Sequence, residues 1–168
     1  INKKNLIKTG VNLDVYSIFQ SDSVLYDLDS PDNFKNRWDY SGTQLLAQPF
    51  VQWKYRASDN LDFTLGLHSQ YYSNANSLSP LEPRTAIKYR FKNNQSVFAG
   101  AGLHSQMQPL YTYSYHQLDA NGNKIYQNQD MGLMKSIHSG LGYEKTFDKG
   151  FSIKTEAYYQ YLYEVPVT

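Results

Sequence analysis

The stretch Leu61-Asp62-Phe63-Thr64-Leu65-Gly66-Leu67-His68-Ser69-Gln70 decides the fold. From Leu61 to Leu67 every odd position is a large apolar residue, while Asp62, Thr64, Gly66 and His68 fill the even ones. Period-two patterning marks a β-strand whose two faces meet different surroundings. The last five residues, Gly-Leu-His-Ser-Gln, recur at Gly102 to Gln106, 36 residues further on. Each copy follows a short polar turn and ends at a longer polar loop. The chain therefore climbs one wall, returns, and climbs again in a related way. Such a period fits either stacked solenoid units or a meander of long hairpins, and the flanking residues select the hairpins.

Working outward, the same alternation predicts seven strands, at Leu6–Tyr16, Leu45–Arg56, Leu61–Tyr71, Pro83–Phe91, Val97–Ser105, Ile137–Tyr143 and Phe151–Tyr163. In each, the more apolar set falls on odd numbers, and none of those odd positions is Asp, Glu, Lys or Arg. The even positions carry ten charged residues. The odd face thus meets a medium that excludes charge along its whole height. A bilayer does so, since a charge at its midplane costs about 2–4 kcal/mol.

The predicted connections alternate in length: long (17–44), short (57–60), medium (72–82), short (92–96), long (106–136) and short (144–150). Long loops on one side and tight turns on the other are the habit of membrane β-barrels. Ser58-Asp59-Asn60, Lys92-Asn93-Asn94-Gln95 and Asp148-Lys149-Gly150 have turn chemistry, as do Asp29-Ser30-Pro31-Asp32-Asn33 and Asp119-Ala120-Asn121-Gly122-Asn123 within the long loops. The abundant aromatics cluster at the strand ends. Trp53, Tyr55, Tyr89, Phe91, Tyr143, Phe147 and Phe151 flank the short turns; Tyr71, Tyr159, Tyr161 and Tyr163 lie toward the loops. Two such bands match the girdles that amphipathic rings form at membrane interfaces.

Composition sets the outer limits. The 168 residues suffice for one domain, and 16 basic against 15 acidic residues leave a charge of +1, with no basic field for nucleic acid. The absence of cysteine excludes disulfide scaffolds and thiolate metal sites. A mean hydropathy of −0.62 would fit a soluble protein, and no apolar run reaches the roughly 18 residues of a membrane helix. The chain begins at Ile1 without a signal-peptide pattern and stops at Thr168 after a strand pattern, so it is read as one partial barrel domain, residues 1–168, of a longer polypeptide.

Beyond this point the residues resemble a known family. Leu81-Glu82-Pro83-Arg84 opening a descending strand, Gly102, His104 and Gln106 on the next ascending strand, and Glu156-Ala157-Tyr158-Tyr159-Gln160 followed by Val165-Pro166 resemble the barrel of TonB-dependent outer-membrane receptors. The branch resembled often carries an N-terminal carboxypeptidase-regulatory-like domain. The likeness runs from about Leu61 to Val167. It implies an all-β, antiparallel, up-and-down transmembrane barrel of about 22 strands, of which seven would lie here, without plug domain, TonB box or terminal strand. It also implies active nutrient uptake in a bacterial outer membrane rather than catalysis. The implied partners are outer-membrane lipid, the plug of the same polypeptide, the inner-membrane TonB protein and a surface lipoprotein. No cofactor is expected. Two other readings stand beside it: a passive porin-like or structural outer-membrane barrel, and a soluble ligand-binding barrel with the odd face turned inward.

Candidate site residues follow from the even face. His68 and His104 occupy matching points of the repeat with one strand between them. Two strand spacings of about 4.8 Å place them roughly 10 Å apart, too far to share a metal ion, whereas His104 and His138 lie on neighbouring strands. Arg84, with Lys54, Lys88, Arg90, Glu82, Glu144, Lys154 and Glu156, predicts a mixed-charge lumen. Gly66, Gly100 and Gly102, with Gly10, Gly140 and Gly142, read either as a smooth wall against which a plug packs or as points of local curvature. Tyr111 and Tyr113, with Tyr115, Tyr126 and His116, lie in the longest well-defined loop, either as ligand contacts or as a hairpin continuing above the membrane.

Overall fold

A computed structural model describes residues 4–25, 34–75 and 77–165. It is all-β apart from one helical turn and one 3-10 turn: β1 (Asn5–Leu25), β2 (Phe34–Arg56), β3 (Leu61–His68), β4 (Tyr71–Tyr72), β5 (Ser77–Leu78), β6 (Glu82–Phe91), β7 (Gln95–Gln106), α1 (Leu110–Ser114), β8 (Gln117–Leu118), β9 (Lys124–Ile125), β10 (Met134–Thr146) and β11 (Ser152–Tyr163). Strands β1, β2, β3, β6, β7, β10 and β11 form an antiparallel meander, each paired with the next. Among the described residues β1 and β11 do not pair with each other, so the sheet is open.

The seven long strands lie where the alternation predicts them, with two corrections. Residues 17–25 and 34–44 are not loop. They continue β1 and β2 as a ladder from Ser17↔Thr43 to Leu25↔Phe34, with one register shift at Asp22/Ser23. Alternation reports a contrast between two faces. That contrast fades along this polar extension, although the backbone pairing continues. The connection shrinks to 26–33, which, with the Asp29–Asn33 turn, lies outside the described residues; so does Pro166 of the Val-Pro element.

The second correction concerns the strand expected over Leu61–Tyr71, which divides into β3 and β4. Both segments keep one register against β2, Phe50↔His68 on one side of the break and Ala47↔Tyr71 on the other. The break falls opposite Pro49. Ser69 N donates to Pro49 O at 3.1 Å, but proline has no N–H to return the bond. The ladder to β1 runs through Pro49 without interruption.

The turns behave as their residues require. Asn93 and Asn94 adopt left-handed φ of 62° and 53° between β6 and β7, a conformation asparagine tolerates better than most residues. The turns also step downward across the sheet. In the paired row Tyr55, Phe63, Ile87, Ala99, Leu141 and Ala157, β2 ends one residue beyond the row at Arg56. Strand β6 ends four beyond at Phe91, and β10 five beyond at Thr146. This is a stagger of about one residue per strand. With about 3.3 Å of rise and 4.8 Å between strands, the strands tilt by roughly 30–35° from the normal to the line of turns.

Burial is inverted relative to an aqueous sheet. The odd face is exposed, with Leu13 at 64%, Val15 at 68% and Leu141 at 61%. Polar residues of the even face, including Gln44, Asp62, Glu82, Ser96 and Ser136, are buried. Two even-face glycines explain part of the packing. A Cβ on Gly142 would meet the Phe98 ring at 2.2 Å, and one on Gly10 would meet the Phe50 ring at 3.0 Å. Each phenylalanine is the glycine's direct cross-strand partner and lies over it, the arrangement by which an aromatic covers a strand glycine. Gly142→Ala is expected to displace Phe98 and cost about 1–3 kcal/mol. A chemical-denaturation midpoint would read that loss, which should shrink in a Phe98→Ala background.

Candidate functional site

The even face carries two polar clusters separated by small residues. The upper one centres on Glu82, whose neighbour Pro83 delays the β6–β7 ladder until Arg84↔Gly102. Glu82 is fully buried. Its Oε2 lies 2.8 Å from His68 Nδ1 and accepts from Arg84 at 3.0 Å. The Gln70 amide donates to Oε1 at 3.4 Å and also to the Ser105 carbonyl. The register that pairs His68 with Glu82 also pairs Gly66 with Arg84, so both partners come from the row at the carboxylate or the next one down.

His68 and His104 therefore have different partners. The His104 ring packs on His138 at 4.4 Å between centroids, as neighbouring strands allow. Ser136 Oγ and Gln160 Nε2 lie 2.7 and 3.0 Å from His138 Nε2, and Tyr158 Oη lies 3.1 Å from Nδ1. Among the described residues the Tyr158 hydroxyl, not a carboxylate, faces Nδ1 of this imidazole. No group of three or more His, Asp or Glu suited to a metal ion occurs among the described residues.

The lower cluster centres on Asp62, also buried. Arg90 donates to Oδ2, Lys54 Nζ lies 3.4 Å away, and Arg56 Nε is 3.6 Å from Oδ1. Beside it Lys88 bridges to Glu144 at 3.2 Å and Lys154 to Glu156 at 2.7 Å, with both lysines near the Phe98 ring. These exposed cations hold a buried carboxylate. Most of their Coulombic gain is screened, but Asp62 itself has few other polar neighbours.

Between the clusters the three glycine candidates have different surroundings. Gly66 has only ordinary neighbours at 3.6 Å and beyond. At Gly100 a Cβ would meet Thr85 O at 3.2 Å, and at Gly102 it would meet Arg84 Cγ at 3.1 Å and His104 Nε2 at 3.3 Å. At these two positions the wall's own atoms already occupy the space.

The expected tyrosine hairpin is a helical turn instead. Residues 110–114 form α1 after Pro109, and β8–β9 form a separate small hairpin. Tyr113 is fully buried beside Tyr72, at 4.9 Å between ring centroids, with Gln108 N donating to its hydroxyl at 3.0 Å. Burial raises its pKa, and it presents no ring to a ligand. Tyr111 is exposed and lines a cleft of about 840 Å³ with Phe19, Gln20, Trp38, Tyr115 and Asn128. At the loop tip the Asp119 carboxylate accepts from the Asn123 side chain and from backbone N–H groups of Asn121 and Asn123. These bonds, the Asn123 side chain's first, hold its pKa below the usual range.

Sequence reasoning singled out Glu82 and Arg84 but missed the anchoring roles of Asp62, Gln70, Gln44 and Ser114. One signal was available. Tyr16 and Leu46 put large apolar side chains on the mostly polar even face away from any facing glycine, and both contribute to the hydrophobic core cluster found among the described residues. No family, curated protein or solved structure matches this chain.

Proposed function

We propose that this chain is a section of the wall of an outer-membrane β-barrel, and that its parent is a TonB-dependent receptor importing a nutrient without catalysis. One observation carries the membrane reading: along the central spans of the seven strands, between the charged odd positions Asp39, Lys135 and Lys145 toward the strand ends, the odd face carries no charge and its large apolar residues are exposed, while Asp62 and Glu82 are buried on the opposite face. An aqueous sheet leaves no such continuous apolar surface uncovered, whereas lipid would cover it.

Two further features support the same reading. The stagger of about one residue per strand is what closure into a tilted barrel requires. The turn-side aromatics lie in contact pairs, Trp53–Tyr55, Tyr89–Phe91 and Phe147–Phe151, with Tyr161–Tyr163 near the opposite end. Trp53 Nε1 and the Tyr143 hydroxyl both donate, to Asn5 and Gln95 respectively, as rings at a membrane interface do. In this arrangement lipid covers the odd face and the lumen adjoins the even face. A plug of the same polypeptide would meet the Glu82 and Asp62 clusters, TonB would act through that plug, and a surface lipoprotein would sit over the loops.

The test is fractionation and uptake by the full-length parent, tagged at Asn121. Recovery in the outer membrane with heat-modifiable gel mobility is expected, with uptake that stops when the inner membrane is de-energised. A folded, detergent-free monomer would defeat the membrane reading. Outer-membrane recovery with passage indifferent to energisation would assign a passive porin instead.

A further inference from the structure

We infer that the loop 107–133 is a built-in constriction, folded inward across the even face and held there by its own small core. It leaves β7 at Gln106 and rejoins the sheet at β10, yet its contacts are on β2, three strand positions from β7. At about 4.8 Å per position the loop reaches some 14 Å across the sheet. Gln44 Nε2 donates to Ser114 Oγ at 3.4 Å, the Tyr72 hydroxyl donates to Gln44 Oε1, and Tyr115 meets the Trp38 ring at 6.0 Å. Lys124 Nζ donates to Asp39 O at 3.2 Å.

The side of the sheet decides the meaning. Tyr16, Gln44 and Leu46 are even-numbered and share the face of Glu82 and Asp62. Leu46, Tyr72, Ala75 and Tyr113 form the core, with Tyr16, Met107, Leu110 and Met131 packed against it. Here the even face carries a buried apolar cluster, and it lies under the loop. A loop projecting freely into solvent would leave Leu46 and Tyr72 uncovered; here both are buried. The inference rests on the barrel reading, in which this face lines the lumen. The loop then narrows the mouth of the barrel and limits the size of what passes, independently of any plug.

These 168 residues contain no cysteine, so single thiols introduced here can test the idea in the full-length parent in its own membrane, with any cysteine elsewhere in the parent replaced by serine. Gln48→Cys lies on the even face two residues below Leu46. Its labelling in intact cells by a membrane-impermeant polyethylene-glycol maleimide is expected to be slow. It should accelerate at least tenfold when Tyr113→Ala and Leu110→Ala together remove loop side chains of that core, and remain slow with Tyr113→Phe. Equal rates in all three backgrounds overturn the constriction. Asn121→Cys at the loop tip is the control. If it too fails to label in intact cells, the barrel orientation fails and takes the inference with it. Labelled Asn121→Cys with unchanged Gln48→Cys rates sinks the constriction alone.

Should the double alanine variant not reach the membrane, Gln44→Cys with Ser114→Cys decides. A cross-link under mild oxidant, seen as reductant-reversible protection of both thiols from labelling, is expected. Its absence means the loop does not sit on β2.

Discussion

Leu141→Arg is expected to destabilise the membrane-inserted parent protein by about 2–4 kcal/mol, while Gln52→Arg changes it by no more than about 0.5 kcal/mol. Both substitutions add one positive charge to an exposed wall position. Leu141 is near the middle of β10 on the odd face, flanked by Ala99 and Ala157. Gln52 is on the even face of β2, opposite Lys8 and Gly66. Only the medium beyond each face separates them. At 1.4 kcal/mol per factor of ten, the Leu141 penalty lowers the folded-to-unfolded ratio by roughly thirty- to several-hundred-fold. Denaturant unfolding from lipid vesicles, followed by tryptophan fluorescence, would measure it. In an aqueous fold an arginine at an exposed leucine is ordinarily within about half a kcal/mol of neutral. If the two variants unfold alike, the odd face does not meet lipid.

What the sequence made legible is bounded by what alternation can report. The odd-number rule located all seven long strands because their faces meet unlike surroundings. It also matched the burial pattern, since Leu13 and Leu141 are exposed while Asp62 and Glu82 are buried. It failed along 17–25 and 34–44, where backbone pairing persists without the apolar contrast. It could not foresee the gap opposite Pro49, because a missing N–H matters only once the partner strand is known. The site divides similarly. Strand order alone separated His68 from the other two and put His104 and His138 on neighbouring strands, but their ring contact depends on the register, Ser136↔His104 and His138↔Gly102. The seating of Tyr113 against Tyr72 depends on a 27-residue connection crossing to β2, and no local pattern encodes such a contact. The residues that could have betrayed it, Tyr16 and Leu46, look in sequence like the same lapses in the alternation as Phe50 and Phe98, which cover glycines instead.

Removing both side-chain partners, His68 and Arg84, from Glu82 is expected to be the most damaging change on the even face. The carboxylate side chain is 1% exposed, while its partners His68 and Arg84 are 14% and 42% exposed. Losing a partner therefore harms this site through the charge left behind. His68→Leu alone leaves Arg84 on Oε2, and Arg84→Leu alone leaves His68, so each single substitution should cost only about 1 kcal/mol. The double substitution leaves the buried carboxylate with only the neutral Gln70 amide and Ser105 hydroxyl, and about 3–5 kcal/mol is expected. The interaction between the two sites would thus exceed additivity by about 1–3 kcal/mol. Adding Glu82→Leu should restore most of the loss, because an apolar trio of similar volume strands no charge. Denaturation of the full-length parent at neutral pH, with all four variants compared, supplies the cycle. A double-variant loss below 1 kcal/mol would mean that water reaches Glu82 in the assembled protein and screens it as at a surface. A loss that persists after Glu82→Leu would instead assign the stabilisation to packing by His68 and Arg84. The expected pattern, large in the double variant and relieved in the triple, belongs to a dry carboxylate held jointly by His68 and Arg84.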